Sequence, residues 1–165
     1  MTNEIKIATF LKVAKILNEN NITWAVGASL LLYLKGITDK FNDIDLMVAE
    51  NDIEKTKNIF LSLGKEYAKN PNLQYKSKCF LEFNVDGIDF DIISGFVIVN
   101  NNCDHYFPLK KNSIAEYFCL ENTSIPLQSV NDWLTYYSLM NRKEKVEMIK
   151  NYLNKNIKEL KRKYP

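Results

Sequence analysis

Asn42-Asp43-Ile44-Asp45-Leu46-Met47-Val48 is the stretch on which the fold turns. Ile44, Leu46 and Val48 alternate with Asp43, Asp45 and Met47, and this period of two predicts a strand. Two carboxylates two residues apart on a strand point the same way. Among apolar neighbours they repel each other and resist desolvation. A divalent cation removes that conflict, and Mg²⁺ prefers oxygen ligands while keeping waters and substrate phosphates in its shell. An isolated Asp-x-Asp is more often a solvated strand face, so the pair takes its meaning from its flanks.

Upstream, Ile7, Phe10, Leu11, Ala14 and Leu17 recur at helical spacing, and the polar run from Asn18 to Asn21 ends that helix. Ile22 to Val26 is a short β-type run broken by Gly27. Ser29 to Lys35 then reads as a helix apolar nearly all round and therefore buried, with Gly36 as its stop. The Val26-Gly27-Ala28-Ser29 junction leaves free N–H groups at a helix start, a geometry that binds phosphate oxygens. Gly27 lets backbone approach a ligand closely, and the Ser29 hydroxyl adds a donor. Taken alone, such a junction is usually a plain turn with a serine cap.

Downstream, Asn51 and Glu54 look like a capping box for a helix carrying Ile53, Phe60 and Leu63. Tyr75 to Val85 and Ile88 to Ile93 read as two strands joined at Asp86-Gly87, a strong hairpin signal. Asp89 and Asp91 share one face of the second strand. Asp91 is the better candidate for a third carboxylate because apolar residues follow it directly, whereas Asp89 sits nearer the turn. A carboxylate there can orient or deprotonate an attacking hydroxyl. Phe96 to Val99 suits a further strand, and Ile114 to Leu120 an edge strand in the otherwise least legible stretch, Asn100 to Pro126. Ser129 with Asp132, and Asn141 with Glu144, are capping pairs for two closing helices. The last of these carries Val146, Ile149, Leu153, Ile157 and Leu160. The order of elements describes an α+β chain, with residues 1–125 as a core and 126–165 as a helical segment packed on it.

Composition narrows the function classes. Of 165 residues, 46% are hydrophobic and 25% charged, ordinary for a globular domain, and a net charge of +2 carries no strong field for nucleic acid. The late basic cluster from Lys155 to Lys163 reads first as a solvated helix end. Cys79, Cys103 and Cys119 are odd in number and form no CxxC pair, so neither a disulfide framework nor a structural zinc site is expected. The lone His105 falls in a polar run read as a surface loop. No stretch approaches the ~18 apolar residues of a membrane span. The opening residues carry no basic segment ahead of a long apolar run, so a cytoplasmic protein is expected.

The conjunction is far more specific than its parts: a Gly-Ala-Ser turn at a helix start, Asp-x-Asp on the next strand, and an acid on a later one. Over roughly residues 5 to 93 it resembles the DNA polymerase β-like nucleotidyltransferase superfamily. It looks most like the small bacterial branch of minimal nucleotidyltransferases, lincosamide and aminoglycoside-2″ nucleotidyltransferases and AbiEii-like toxins. Ala28 stands where many members have a second Gly, and the antibiotic enzymes often carry Gly-Gly-Trp there. The resemblance implies a mixed sheet flanked by helices with a short C-terminal helical tail. It implies that Gly27, Ala28 and Ser29 bind the phosphates of an NTP. It also implies that Asp43, Asp45 and Asp91 hold Mg²⁺, as two ions, and carry the chemistry. An acceptor hydroxyl then attacks the α-phosphate in line and pyrophosphate leaves. The acceptor is left open among small molecule, protein and tRNA. Lys35 and Lys40 are minor candidates for phosphate contact. Tyr75, Tyr106, Phe107, Tyr117 and Phe118 are candidates to line an acceptor or base pocket, although such aromatics are more often core. The alternative is a toxin–antitoxin component of the same fold, acting mainly by binding or modifying a protein or tRNA partner.

Overall fold

The computed structural model describes residues 2–68 and 75–163, the side chains of residues 160 and 161 excepted, so the expected role of Leu160 lies outside the described residues. Helix α1 (Asn3–Glu19) starts at Thr2, whose hydroxyl accepts from the Ile5 N–H, and buries Phe10, Val13, Ala14 and Leu17. Asn21, at φ 55°, turns the chain into β1 (Trp24–Val26). Next come α2 (Ala28–Leu34), ended as expected by Gly36 at φ 67°, and β2 (Ile44–Val48). Helix α3 (Ile53–Leu63) follows a tight 3₁₀ turn at Glu50–Asp52. Asn51 does not cap it. Asp52 precedes the helix instead, and its carboxylate accepts from the Thr23 N–H at 2.8 Å.

The strands β3 (Lys65–Glu66), β4 (Cys79–Val85), β5 (Ile88–Ser94), β6 (Phe96–Asn100) and β7 (Cys103–Phe107) come next. β8 (Glu116–Leu120) and β9 (Thr123–Leu127) precede α4 (Val130–Leu139) and α5 (Lys143–Lys163). Among the described residues, seven strands form one sheet in the order β3-β4-β5-β2-β1-β9-β8. The sheet is mixed: β2 runs parallel to β5 and β1 parallel to β9, while β1–β2, β4–β5 and β8–β9 are antiparallel. The Asp86-Gly87 turn has both residues at positive φ, 53° and 83°, which the right-handed twist of a two-residue hairpin favours. The expected edge strand is β8.

One face of this sheet is hydrocarbon. Ile44, Leu46, Val48, Phe83, Phe90 and Ile92 are fully buried, with Phe60 of α3 packed on Phe83 and Phe90 at ring separations of 5.2 and 5.5 Å. Phe10 of α1 meets Trp24 edge-on at 6.2 Å. The opposite face is covered at one end by α4 and the separate β6–β7 sheet, where Phe96 stacks on Trp133 and packs against Tyr136.

Three further expectations need correction. The run from Tyr75 to Val85 is not one strand. Tyr75 bridges to Ile98, and Lys76 and Lys78 donate to the carbonyls of Val97 and Gly95, so this segment pairs with β6 before the chain crosses to β4. His105 lies on β7, not in a loop, half-buried with its ring near that of Phe107. Asn141 does not cap α5. It sits at φ 59°, and the Arg142 carbonyl accepts the first bond, from Val146. Ser129 does cap α4, accepting from Asn131 and Asp132. No helix among the described residues is long and apolar enough to cross a membrane.

Candidate active site

The parallel register of β2 on β5 sets Asp45 directly opposite Asp91. Neighbouring strands lie about 4.8 Å apart, so side chains in register on one face are neighbours in space. Asp43 falls just outside the strand, in the bend before Ile44, and not within the strand as the alternation suggests. Its carbonyl is taken by the Ser29 hydroxyl at 3.4 Å instead of by a ladder partner. Even so, carboxylate oxygens of Asp43, Asp45 and Asp91 all come within 4.8 Å of one another, and all three residues are half-buried. Asp89 is excluded: it is exposed and accepts from the Asn84 amide at 2.8 Å. The acid that joins the cluster is the one followed by apolar residues, Ile92 and Ile93.

Burial and crowding act together on these groups. Desolvation pushes the Asp45 carboxyl well above the ordinary range, and the charges of Asp43 and Asp91 push it further. Desolvation first, then Asp43, Glu82 and Asp89, raise Asp91 to about 7. Glu82 contributes because β4 sets it opposite Asp91 on the side away from β2. Carboxylates held this close in a poorly solvated place resist full ionisation unless a cation neutralises them.

The Gly27–Ser29 turn is fastened to this cluster at two points, the Ser29 hydroxyl on Asp43 and the Gly27 N–H on the Asp45 carbonyl at 3.1 Å. The first intrahelical bond of α2 runs from Leu31 to the Gly27 carbonyl, so the N–H groups of Ala28, Ser29 and Leu30 precede the helical ladder. Gly27 itself is demanded by packing. A Cβ there would sit 2.5 Å from the Trp133 ring and 2.8 Å from the Gln128 side-chain oxygen, which accepts from the Trp133 indole. Ala28 adopts φ 44°, a left-handed conformation that a side chain resists. The turn therefore survives without a second glycine, but under strain.

Of the minor candidates, Lys35 is paired with Glu116 of β8 at 2.7 Å, and Lys40 is exposed. Tyr75 donates to the Met140 sulfur, Phe107 packs on Tyr136, and Tyr106 donates to Glu50. The aromatic that sequence reading missed is Tyr137. One helical turn beyond Trp133 and packed on it at 5.1 Å, it has its phenol raised by burial and then by the charges of Asp45 and Asp43. The i, i+4 spacing from Trp133 was the available signal.

This arrangement is that of a nucleotidyltransferase fold, and comparison with solved structures agrees. A Thermotoga maritima protein, a candidate nucleotidyltransferase, superposes with a TM-score of 0.73 at 22% identity, over 94% of this chain and 96% of that one. The antibiotic-resistance factor ANT(2″)-Ia, solved with adenylyl-2″-tobramycin, gives 0.59 at 15% identity over 96% and 94%. The lincosamide antibiotic adenylyltransferase LnuA, lincomycin-bound, gives 0.61 at 13% over 91% and 97%. No protein-family profile and no curated protein sequence matches the chain.

Proposed function

We propose that the protein is a Mg²⁺-dependent nucleotidyltransferase that moves a nucleoside monophosphate from an NTP to a hydroxyl. The observation that carries this reading is the convergence of the Asp43, Asp45 and Asp91 oxygens within 4.8 Å of one another beside the turn at the start of α2. The donor set fits the metal. It offers only hard carboxylate oxygens, from two adjacent strands and the bend before one of them, and a divalent cation would relieve the raised proton affinities of Asp45 and Asp91. Asp43 and Asp45 would hold two ions, with Asp91 completing the set on the acceptor side. Bound there, the metal supplies Lewis-acid stabilisation of charge on the phosphoryl oxygens. The N–H groups of Ala28, Ser29 and Leu30 meet the triphosphate, and Ser29 exchanges its Asp43 carbonyl for a phosphate oxygen. A carboxylate oxygen of Asp91 accepts the proton of the acceptor hydroxyl. One structural neighbour solved with adenylyl-2″-tobramycin and another named a lincosamide adenylyltransferase, lincomycin-bound, favour ATP as the donor and a small hydroxylated molecule as the acceptor. On this reading residues 1–125 carry the carboxylates and the turn, and residues 126–165 form the wall beside them.

The test is calorimetric titration of α,β-methylene-ATP with Mg²⁺ into wild type and the Asp43→Asn/Asp45→Asn double variant. Mg²⁺-dependent binding is expected in wild type and lost in the variant, with its circular dichroism unchanged. A folded double variant that still binds the nucleotide in a Mg²⁺-dependent way sinks the assignment.

A further inference from the structure

Gln128 directly follows β9, and no motif in the chain marks it. The parallel register of Val26 with Leu127 carries on for one more step, because the Gln128 N–H donates to the Val26 carbonyl at 3.1 Å. Gln128 therefore stands beside Gly27, and Gly27 beside Asp45, whose carbonyl takes the Gly27 N–H. With Asp91 opposite Asp45 and Glu82 opposite Asp91, a single row crosses one face of the sheet: Gln128, Gly27, Asp45, Asp91, Glu82. One end of this row is acidic. At the other, Gln128 is the member whose side chain offers N–H donors.

The Gln128 side chain is 6% exposed, and its Oε1 lies 2.8 Å from the place a Gly27 Cβ would take. It thus reaches from β9 across β1, towards β2 and the carboxylates, through the room that the glycine leaves. The Trp133 indole, which can only donate, gives its N–H to that oxygen at 2.8 Å and so fixes which end of the amide is nitrogen. The nitrogen has no hydrogen-bond partner among the described residues. Nor is it sealed in: among those residues, the unpartnered side-chain atoms shut off from solvent are Ser94 Oγ and Thr123 Oγ1. An amide anchored by its buried oxygen and open only at its nitrogen is a preorganised donor.

We propose that Gln128 is a nucleotide-binding residue whose Nε2 donates to an oxygen of the triphosphate. The proposal rests on the nucleotidyltransferase reading above. Metal ions at the acids draw the reacting phosphate towards Asp45 and Asp91. The trailing phosphates, repelled by Asp91 and Glu82, lie towards β1 and β9, where the two N–H groups of the Gln128 amide meet them. A side chain at Gly27 would push this amide out of place, so the glycine serves the donor as well as the packing.

The test follows the Nε2 cross-peaks of Gln128 in the ¹⁵N-labelled full chain by nuclear magnetic resonance. Mg²⁺ with inorganic tripolyphosphate and Mg²⁺ with α,β-methylene-ATP should both shift them, and adenosine should leave them in place. Gln128→Glu keeps the length of the side chain and an oxygen for the Trp133 indole, but replaces the donor with an acceptor. It should bind α,β-methylene-ATP with Mg²⁺ at least about tenfold more weakly. Mn²⁺ alone, followed by electron paramagnetic resonance, should bind it no more weakly than it binds wild type. The proposal is overturned, with the carboxylate assignment left standing, if the cross-peaks stay in place in a wild type that binds the nucleotide. It is equally overturned if adenosine shifts them as far as tripolyphosphate does, or if a folded Gln128→Glu variant holds the nucleotide as tightly as wild type or loses Mn²⁺ in equal measure. A wild type that binds neither Mn²⁺ nor nucleotide removes both readings.

Discussion

On one face of the β2–β5 pair, Ile44, Leu46, Phe90 and Ile92 are fully buried and Phe60 closes over them. On the other face, one residue out of phase along the same two strands, Asp45 and Asp91 stand opposite each other with Asp43 beside them. The same register that brings hydrocarbon to hydrocarbon brings carboxylate to carboxylate. The first face lowers the free energy of folding and the second raises it. The difference marks the acid face as the candidate site, because nothing in packing calls for three carboxylates within 4.8 Å of one another.

The sharpest way to separate the faces is to alter each alone. Asp43→Asn/Asp45→Asn should lower nucleotidyl transfer by about a thousandfold or more, yet leave the melting temperature of the metal-free protein at or above that of wild type. A marked fall in stability would mean that the acids are structural. Phe90→Ala, one residue from Asp91, should do the reverse, lowering unfolding free energy by about 3–5 kcal/mol in urea titrations. The protein that remains folded should bind nucleotide with Mg²⁺ normally.

Gly27→Ala probes the seam between turn and wall. The added methyl meets Trp133 at 2.5 Å, within a buried indole–amide pair. A loss of about 1–3 kcal/mol is expected from overpacking, accompanied by a change in tryptophan fluorescence. If stability is untouched, α4 is not seated on the turn.

Acidity tests the acid face without mutation. Asp91 titrates at about 7 in the fold, against an ordinary value of 3.8. Between those values the folded state holds a proton that the unfolded state has lost, so stability falls as pH rises through that window. Asp45 shifts in the same direction. The metal-free protein should therefore melt higher at about pH 5 than at about pH 8. Mg²⁺ should raise the melting temperature at the higher pH and do little at the lower, since its ligands must be deprotonated. Equal melting temperatures at both values would place these acids in solvent.

The smallest effect is expected at Ala28. Relief of its φ of 44° in Ala28→Gly should stabilise the chain by about 0.5–1 kcal/mol, measured by urea midpoint. A destabilised variant would show that the left-handed turn is not strained.

Much of this was legible along the chain. β2, β4 and β5 announce themselves by period two, the Asp86-Gly87 hairpin by residues that tolerate positive φ, and α4 by its serine cap. These signals are local: each depends on neighbours within a few residues. What escaped reading depends on partners far along the chain. Tyr75 to Lys78 look continuous with β4 because the sequence does not say that β6 pairs with them. Cys103 to Phe107 look like loop because an exposed two-stranded sheet needs little apolar alternation. Asn51 looks like a cap until Asp52 turns out to hold the Thr23 N–H.

The carboxylates return to the same division. Residue order alone determined that acids stand on strands next to a glycine turn, because strand periodicity and turn chemistry are properties of short segments. That Asp91 joins Asp45 and Asp89 does not was decided by the parallel register of β2 on β5, a pairing between distant segments. That Gly27 must be glycine was decided by Trp133, which reaches the turn only once α4 has packed across the sheet. Tyr137 stands beside the acids for the same reason: tertiary packing placed one face of α4 next to the charges of the proposed site.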